Sequence, residues 1–225
     1  MKSAIKNNNA TVPEISKGEV KITKLPAIPI DRMTLTIVGV TPLLMNNFSE
    51  KSKEQMANKQ QGVATAAREK KDPKALYEAA KYRDDSGRDC VTAIQLKSSI
   101  VGSARFHEGF KMTELKGGVY VAGNLLPLTY DTVVMREDHV RNATGVADLR
   151  YRPEYTGWSF DVTLEFNRGL ISAEQMMSLI RLAGRHQGIG EWRPEKGGVH
   201  GRYDIDISKG VLVRGVDEGP MTKVA

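Results

Sequence analysis

Cysteine is almost absent from this sequence. One of its 225 residues, Cys90, carries a thiol, which excludes an intramolecular disulfide framework and any multi-cysteine zinc site. A lone thiol of this kind reads as a small buried side chain rather than a nucleophile. Long apolar runs are missing too: no stretch approaches the ~20 residues of a membrane span. Residues 1–12 are polar and Asn-rich, without the apolar core of an export signal, so the expected location is the cytoplasm. His107, His139, His186 and His200 are scattered, with no H-E-x-x-H spacing, and no metal site is expected. Gly188-x-Gly190 follows a helical pattern rather than a strand and has Arg193 where a dinucleotide fingerprint needs its third glycine. There is no phosphate-binding G-x-x-x-x-G-K-[ST] loop and no G-x-S-x-G elbow, and no cofactor is expected.

What is present describes a globular chain. Hydrophobic residues make up 40% and charged residues 27%, and the length suits one domain with elaborations. The formal net charge is +6, compatible with a polyanionic partner. Residues 49–83 hold nine Lys/Arg against five Asp/Glu. Residues 136–202 are nearly balanced, yet contain nine of the fifteen arginines and a single lysine. Arginine suits planar, forked contacts to phosphate or stacking on bases; the competing reading is a set of ion pairs with nearby acids.

The order of elements suggests the fold. Residues 1–32, with Pro13, Pro26, Pro29 and five lysines, read as a flexible arm. Met33 to Val40 alternates as a strand with one buried face. Residues 44–88 read as a basic, mostly helical insertion: Ser49 caps one helix to about Gln61, and Asp72-Pro73 starts another that runs to Arg83. Cys90 to Ile94 is extended, and Gln95 to His107 is helical. Val119–Val121 and Leu125–Val134 are strand-like, 135–157 is a polar Arg-rich hairpin or loop, and Ser159–Phe166 is the clearest strand. Ser172 and Gln175 form a capping box for a helix whose buried face is Met176, Leu179, Ile180 and Ala183. A glycine loop over 188–201 leads to a last strand at Tyr203–Ile207, and residues 208–225 read as a tail. Without its insertions this is β-α-β-β-α-β, an α+β fold of ferredoxin-like or RRM-like type spanning 33–207.

The loop GIGEWRPEKGGVHGR interleaves close-approach glycines with Trp192, Arg193, Lys196, His200 and Arg202. That combination supplies backbone N–H groups, cations and a stacking ring, as phosphate and base recognition require. The alternative is a long turn around a core tryptophan.

Four segments together resemble the RAMP superfamily, and in particular the repeating backbone subunits of CRISPR effector complexes. Met33 to Asn46, ending in Thr41-Pro42-Leu43-Leu44, is similar to that family's first strand and its "TPL" turn. Ala93 to Arg105 (AIQLKSSIVGSAR) resembles the "IPGSSLKGALR" segment that opens the first helix. Val140 to Phe166 resembles the thumb-like excursion with its returning strand, and Gly188 to Tyr203 the terminal glycine-rich loop and last strand. The sequence departs at Gln95, where Pro-Gly is common, at Val101, where Lys is common before Gly, and at Met45-Asn46-Asn47, which replaces an early glycine run. The insertion has no close counterpart.

The resemblance implies a non-enzymatic protein that oligomerises side by side, as a ring or helical filament, along RNA or single-stranded DNA. The context is a CRISPR-type complex or a phage relative, in a bacterial host or phage-infected cell. Read with the residues, it points to Arg136, Arg141, Arg150 and Arg152 in the excursion. Lys97, Ser98, Ser99 and Arg105 follow on the first helix, Arg185 on the second, and Trp192, Arg193, Lys196, His200 and Arg202 in the loop. Arg150 and Arg152 alternate and so face the same way. Two other classes stay open. One is a RAMP-type endoribonuclease using His107 or His139, with Asp84 or Asp85 as weaker candidates. The other is a structural phage protein that binds only protein.

Overall fold

Hydrophobic alternation at one end of the chain and helical spacing in its middle meet on a single sheet. The structure, a computed structural model, describes residues 27–47, 57–58, 60–62, 72–141, 145 and 147–216. In chain order, β1 (Ile30–Gly39) and β2 (Leu43–Leu44) precede α1 (Pro73–Ala79), β3 (Tyr82–Arg83) and β4 (Asp89–Thr92). Next come α2 (Ala93–Ser103), α3 (Met112–Gly118), β5 (Val119–Val121) and β6 (Leu125–Pro127). Then follow β7 (Thr132–Arg141), β8 (Ala147–Thr156), β9 (Ser159–Asn167), α4 (Ala173–His186), β10 (Tyr203–Ile205) and β11 (Leu212–Gly215). The main sheet has the order β10-β1-β9-β5, antiparallel throughout. With α2 and α4 between the strands this is the expected β-α-β-β-α-β arrangement, an α+β fold.

Alternation decides the buried face. Met33, Leu35 and Ile37 of β1 and Phe160, Val162, Leu164 and Phe166 of β9 are all buried, and they pack against Leu96 and Ile100 of α2 and Met176, Leu179 and Ile180 of α4. The two helices approach closely because their contact is built from small residues. Ser103 Oγ donates to the Leu179 carbonyl at 3.1 Å, and a Cβ on Gly102 would lie 2.6 Å from Gln187 Oε1 at the end of α4. Ser172 and Gln175 form the capping box at the start of α4, with Ser172 N–H donating to Gln175 Oε1 at 2.8 Å. Asp72 caps α1, its Oδ1 accepting from Lys74 N–H at 2.9 Å.

Several elements differ from the sequence reading. β1 begins at Ile30, inside the stretch assigned to the arm, and β11, in the stretch assigned to the tail, pairs with its first half from Asp31↔Gly215 to Thr34↔Leu212. Leu212 and Val213 are exposed, so no alternation announces this strand. α1 stops at Ala79, and Tyr82–Arg83 turns extended to pair with β4. α2 starts at Ala93, capped by Thr92. The expected strand Leu125–Val134 is two strands. The seven-residue helix α3 has two glycines in its last turn, which hides it from a propensity reading. The expected helix Ser49–Gln61 and the Ala-rich run 62–71 fall mostly outside the described residues.

The excursion is a long hairpin. β7 and β8 pair from Thr132↔Thr156 to Arg141↔Ala147. At its base, Tyr155 and Tyr130 donate to Asp89 Oδ2 at 3.0 and 3.1 Å, and Arg83 Nε donates to Asp89 Oδ1 at 3.2 Å. One buried carboxylate thus joins the hairpin to β3 and β4.

Two measurements follow. Leu164→Ala deletes fully buried volume and should cost about 2–5 kcal/mol in urea unfolding. Burial first, then the nearby Asp89 charge, pushes the Tyr155 hydroxyl pKa up; burial also pushes Tyr203 up, against a lowering by its Ser99 hydrogen bond. Tyrosines of the unfolded chain ionise near pH ~10 while these two keep their protons. Stability should hold below that pH and fall as pH rises beyond it, and Tyr155→Phe with Tyr203→Phe should flatten the alkaline slope of urea midpoints.

Candidate nucleic-acid interface

The glycine loop is stitched to the Thr41–Leu44 segment. Glu191 N–H donates to the Leu44 carbonyl at 2.7 Å, Gly201 N–H to Pro42 at 2.8 Å, and Arg202 N–H to Thr41 Oγ1 at 3.0 Å. On its other side, Leu43↔Tyr155 and Leu44↔Glu154 pair with β8. The short β2 therefore lies between hairpin and loop and fixes their distance. The loop closes tightly on itself: Ile189 N–H donates to the Gly201 carbonyl, whose residue has φ +67°, and a Cβ there would sit 1.8 Å from the Ile189 oxygen. Trp192 holds φ 49° without being glycine, a left-handed conformation that its surroundings must impose.

Those surroundings are charged. Arg152 is 1% exposed; it donates to Asp138 Oδ2 at 2.7 Å and lies 3.5 Å from Glu191 Oε2. Arg136 donates to Asp138 Oδ1 at 2.8 Å and to Glu154 Oε2 at 2.7 Å. His200 Nε2 lies 3.3 Å from both Glu154 Oε2 and Arg136. The guanidiniums of Arg152 and Arg136 sit 5.0 and 5.1 Å from the centre of the Trp192 ring, within cation–π range. Two guanidiniums here meet three carboxylates, so the node is not a basic patch.

The structure gathers four of the residues named from the sequence: Arg152 and His200 are buried, and the half-buried Arg136 and Trp192 pack against them. Arg150 and Arg152 do share a hairpin face, opposite Asp138 and Arg136 respectively, but Arg152 lies at the depth where the hairpin meets the loop. Ser99 is also internal: its Oγ is 2.9 Å from Tyr203 Oη and donates to the Ala183 carbonyl at 3.4 Å. Arg193 is held by Glu195 Oε2 at 2.9 Å and by the Gly190 carbonyl at 2.8 Å. Arg202 is half-buried. Arg141 ends β7, and its side chain lies outside the described residues.

The other cations point elsewhere. Lys97 and Arg150 are half-buried, while Ser98, Arg105, Arg185 and Lys196 are exposed. Among the described residues, none of these five cations has a side-chain partner. Arg105 and Arg185 each adjoin one ring of a stacked pair, Phe106 on His186, with centroids 4.6 Å apart. Phe106 is 49% exposed. Gln95, Ser98, Gly102 and Phe106 fall on one stripe of α2 and its 3-10 continuation, roughly 16 Å long at helical rise. The upper end of that stripe opens into a cleft of ≈ 250 Å³ whose far wall is Gly188 to Glu195 of the loop. The Phe106–His186 stack had no signal in the sequence, because the two rings are eighty residues apart in sequence and meet only through α2–α4 packing.

The outer face of the sheet offers a different chemistry. Arg32 Nε donates to Glu165 Oε1 at 2.8 Å and Thr36 Oγ1 to Asp161 Oδ1 at 2.5 Å. An RRM sheet stacks bases on aromatics of its central strands; here those positions hold threonines and acids, and Tyr120 sits on the edge strand β5.

The nuclease candidates are not gathered. His107 lies past α2, His139 on the hairpin, and Asp84 in the β3–β4 turn, where Arg88 and Ser86 N–H groups hold its pKa down. Asp85 is exposed beside it. Among the described residues no group of three His, Cys, Asp or Glu is placed to hold a metal ion, and no helix is long and apolar enough to cross a membrane.

No protein-family model and no curated protein matches the chain. Solved structures do. One is a chain of the Type III-B Cmr-beta bound to cognate target RNA, with TM-score 0.45 and 10% identity over 84% of this chain and 61% of that one. Another is Cmr6 from Pyrococcus furiosus, with TM-score 0.41 and 11% identity over 78% of this chain and 98% of that one. This chain thus spans 61% of the length of the first.

Arg152→Ala leaves Asp138 buried beside a single remaining guanidinium and should lower stability by about 3–5 kcal/mol. Arg150→Ala should stay within about 0.5 kcal/mol of the parent protein. Urea unfolding of the two variants side by side separates the roles.

Proposed function

We propose that this protein binds a single-stranded nucleic acid, RNA or DNA, along α2 and the adjoining end of α4, without cutting it. The supporting observation is a set of cations with no side-chain partner among the described residues beside an exposed aromatic stack: Arg105 and Arg185 are the chain neighbours of Phe106 and His186, while Lys97 lies on α2 and Lys196 on the loop. Single-strand binding needs cations for the backbone and planar groups for bases. On the outer sheet face the one cation of the central strands, Arg32, is answered by Glu165, and Tyr120 stands on the edge strand. The locked hairpin carries Arg150 away from the core as a further phosphate contact. The RAMP resemblance supports copies standing side by side on one strand, as a CRISPR-type backbone subunit or a phage relative of one.

Fluorescence anisotropy with a labelled dodecamer tests this. Log K should fall linearly with log salt, with a slope of about −0.7 per phosphate neutralised. Arg105→Ala with Arg185→Ala should make the slope shallower, and Phe106→Ala should cost about 1–3 kcal/mol of binding. A flat salt response, or tighter binding to duplex DNA, contradicts the proposal. Light scattering against strand length tests the assembly: particle size should grow with the strand, and a protein that stays monomeric on a long one does not stack.

A further inference from the structure

The cleft at the start of α2 is not a phosphate site. Its wall carries two carboxylates, Glu191 and Glu195, against one guanidinium, Arg193, which is already held by Glu195 and the Gly190 carbonyl. A phosphate entering there would meet net negative charge. The remaining lining is of a different kind. Tyr82 and Ile94 supply apolar surface, and Ile94 is 70% exposed at the rim. Asn46, Gln95 and Ser98 supply neutral hydrogen-bonding groups. Gln95 Oε1 is buried with no hydrogen-bond partner among the described residues, and the Gln95 side chain is one of the cleft's walls. At ≈ 250 Å³ the space falls just below the usual range for drug-sized ligands, about 300–1,000 Å³, and suits a single flat heterocycle.

We infer that this cleft receives one nucleobase of the bound strand and selects a base bearing an exocyclic amino group. The inference rests on the single-strand reading above. The charged wall is acceptor-rich: the carboxylates of Glu191 and Glu195, half-exposed, keep lone pairs beyond their ion pairs with Arg152 and Arg193, and Gln95 Oε1 stands beside them unpartnered among the described residues. They call for N–H donors, which adenine, cytosine and guanine present as amino groups and uracil does not. Uracil presents carbonyl oxygens at the corresponding positions, and these face the carboxylates unfavourably. Reading a base that has left the stack by its hydrogen-bonding edge is how pockets of this size discriminate. Affinity then comes from the cations along α2 and base preference from the cleft, so the two are separable by mutation.

The test compares labelled dodecamers of A, C and U at one salt concentration, then each across a salt series. The wild-type protein should bind the A and C strands about tenfold more tightly than the U strand, with equal salt slopes. Gln95→Ala should abolish that preference and leave the slope unchanged. Ser98→Trp, at an exposed position, fills the cleft from the rim and should do the same; circular dichroism melting confirms that each variant is folded. A wild-type protein that binds A, C and U alike overturns the inference, as does a preference that survives both variants, while salt-dependent binding in those experiments leaves the single-strand reading standing. A protein that binds none of the three strands at low salt removes both.

Discussion

A guanidinium shut away from water has to be answered from within the protein, and Arg152 is answered by three groups from two elements at once. Asp138 lies on the paired strand β7, Glu191 on the glycine loop, and the Trp192 ring within 5.0 Å. A buried pair of this kind adds little net stability, but losing one partner is expensive. Its effect is geometric. It sets one register between a long hairpin and a long loop that have few other means of finding each other, and it helps hold Trp192 in a left-handed conformation. Leu43 and Leu44, bonded to both, fill the space between them.

This constraint sorts the arginines by role. Those at the junction are matched by acids; among the described residues, Arg105, Arg150 and Arg185 lie beyond it without a side-chain ion pair. The hairpin is therefore an arm with a fixed root. The loop, held on one side by Arg152 and on the other by the Thr41–Leu44 segment, presents Gly188 to Glu195 as a rigid wall facing α2. A cleft between a rigid loop and the first turns of a helix keeps its shape before a ligand arrives, which lowers the ordering cost of binding.

Much of the fold was legible because its signals are local. Alternation over Met33–Val40 and Ser159–Phe166, the Ser172–Gln175 capping box and the Asp72-Pro73 start each follow from neighbouring residues. β11 and α3 were not, since one lacks an apolar face and the other ends in glycines. The site was only partly legible. The sequence names the loop and the hairpin as candidate binding segments, but it does not say that Asp138 and Arg152 share a cross-strand neighbourhood, or that Glu191 reaches Arg152. Periodicity placed Arg150 and Arg152 on one face; only the depth of the hairpin root distinguishes them. Phe106 and His186, unremarkable in sequence, become a stacked pair through the Ser99–Gly102–Ser103 packing of α2 on α4.

The central claim is that the strand lies on the helical side, along α2, and not on the sheet. Ultraviolet crosslinking of the full chain to a strand carrying 8-azidoadenosine, followed by peptide mapping, tests this most directly. The account predicts crosslinks on the peptide carrying Phe106 and on the loop peptide around Trp192, and none at Tyr120. Crosslinks at Tyr120 on the outer sheet face, with the Phe106 peptide unmodified, would contradict it.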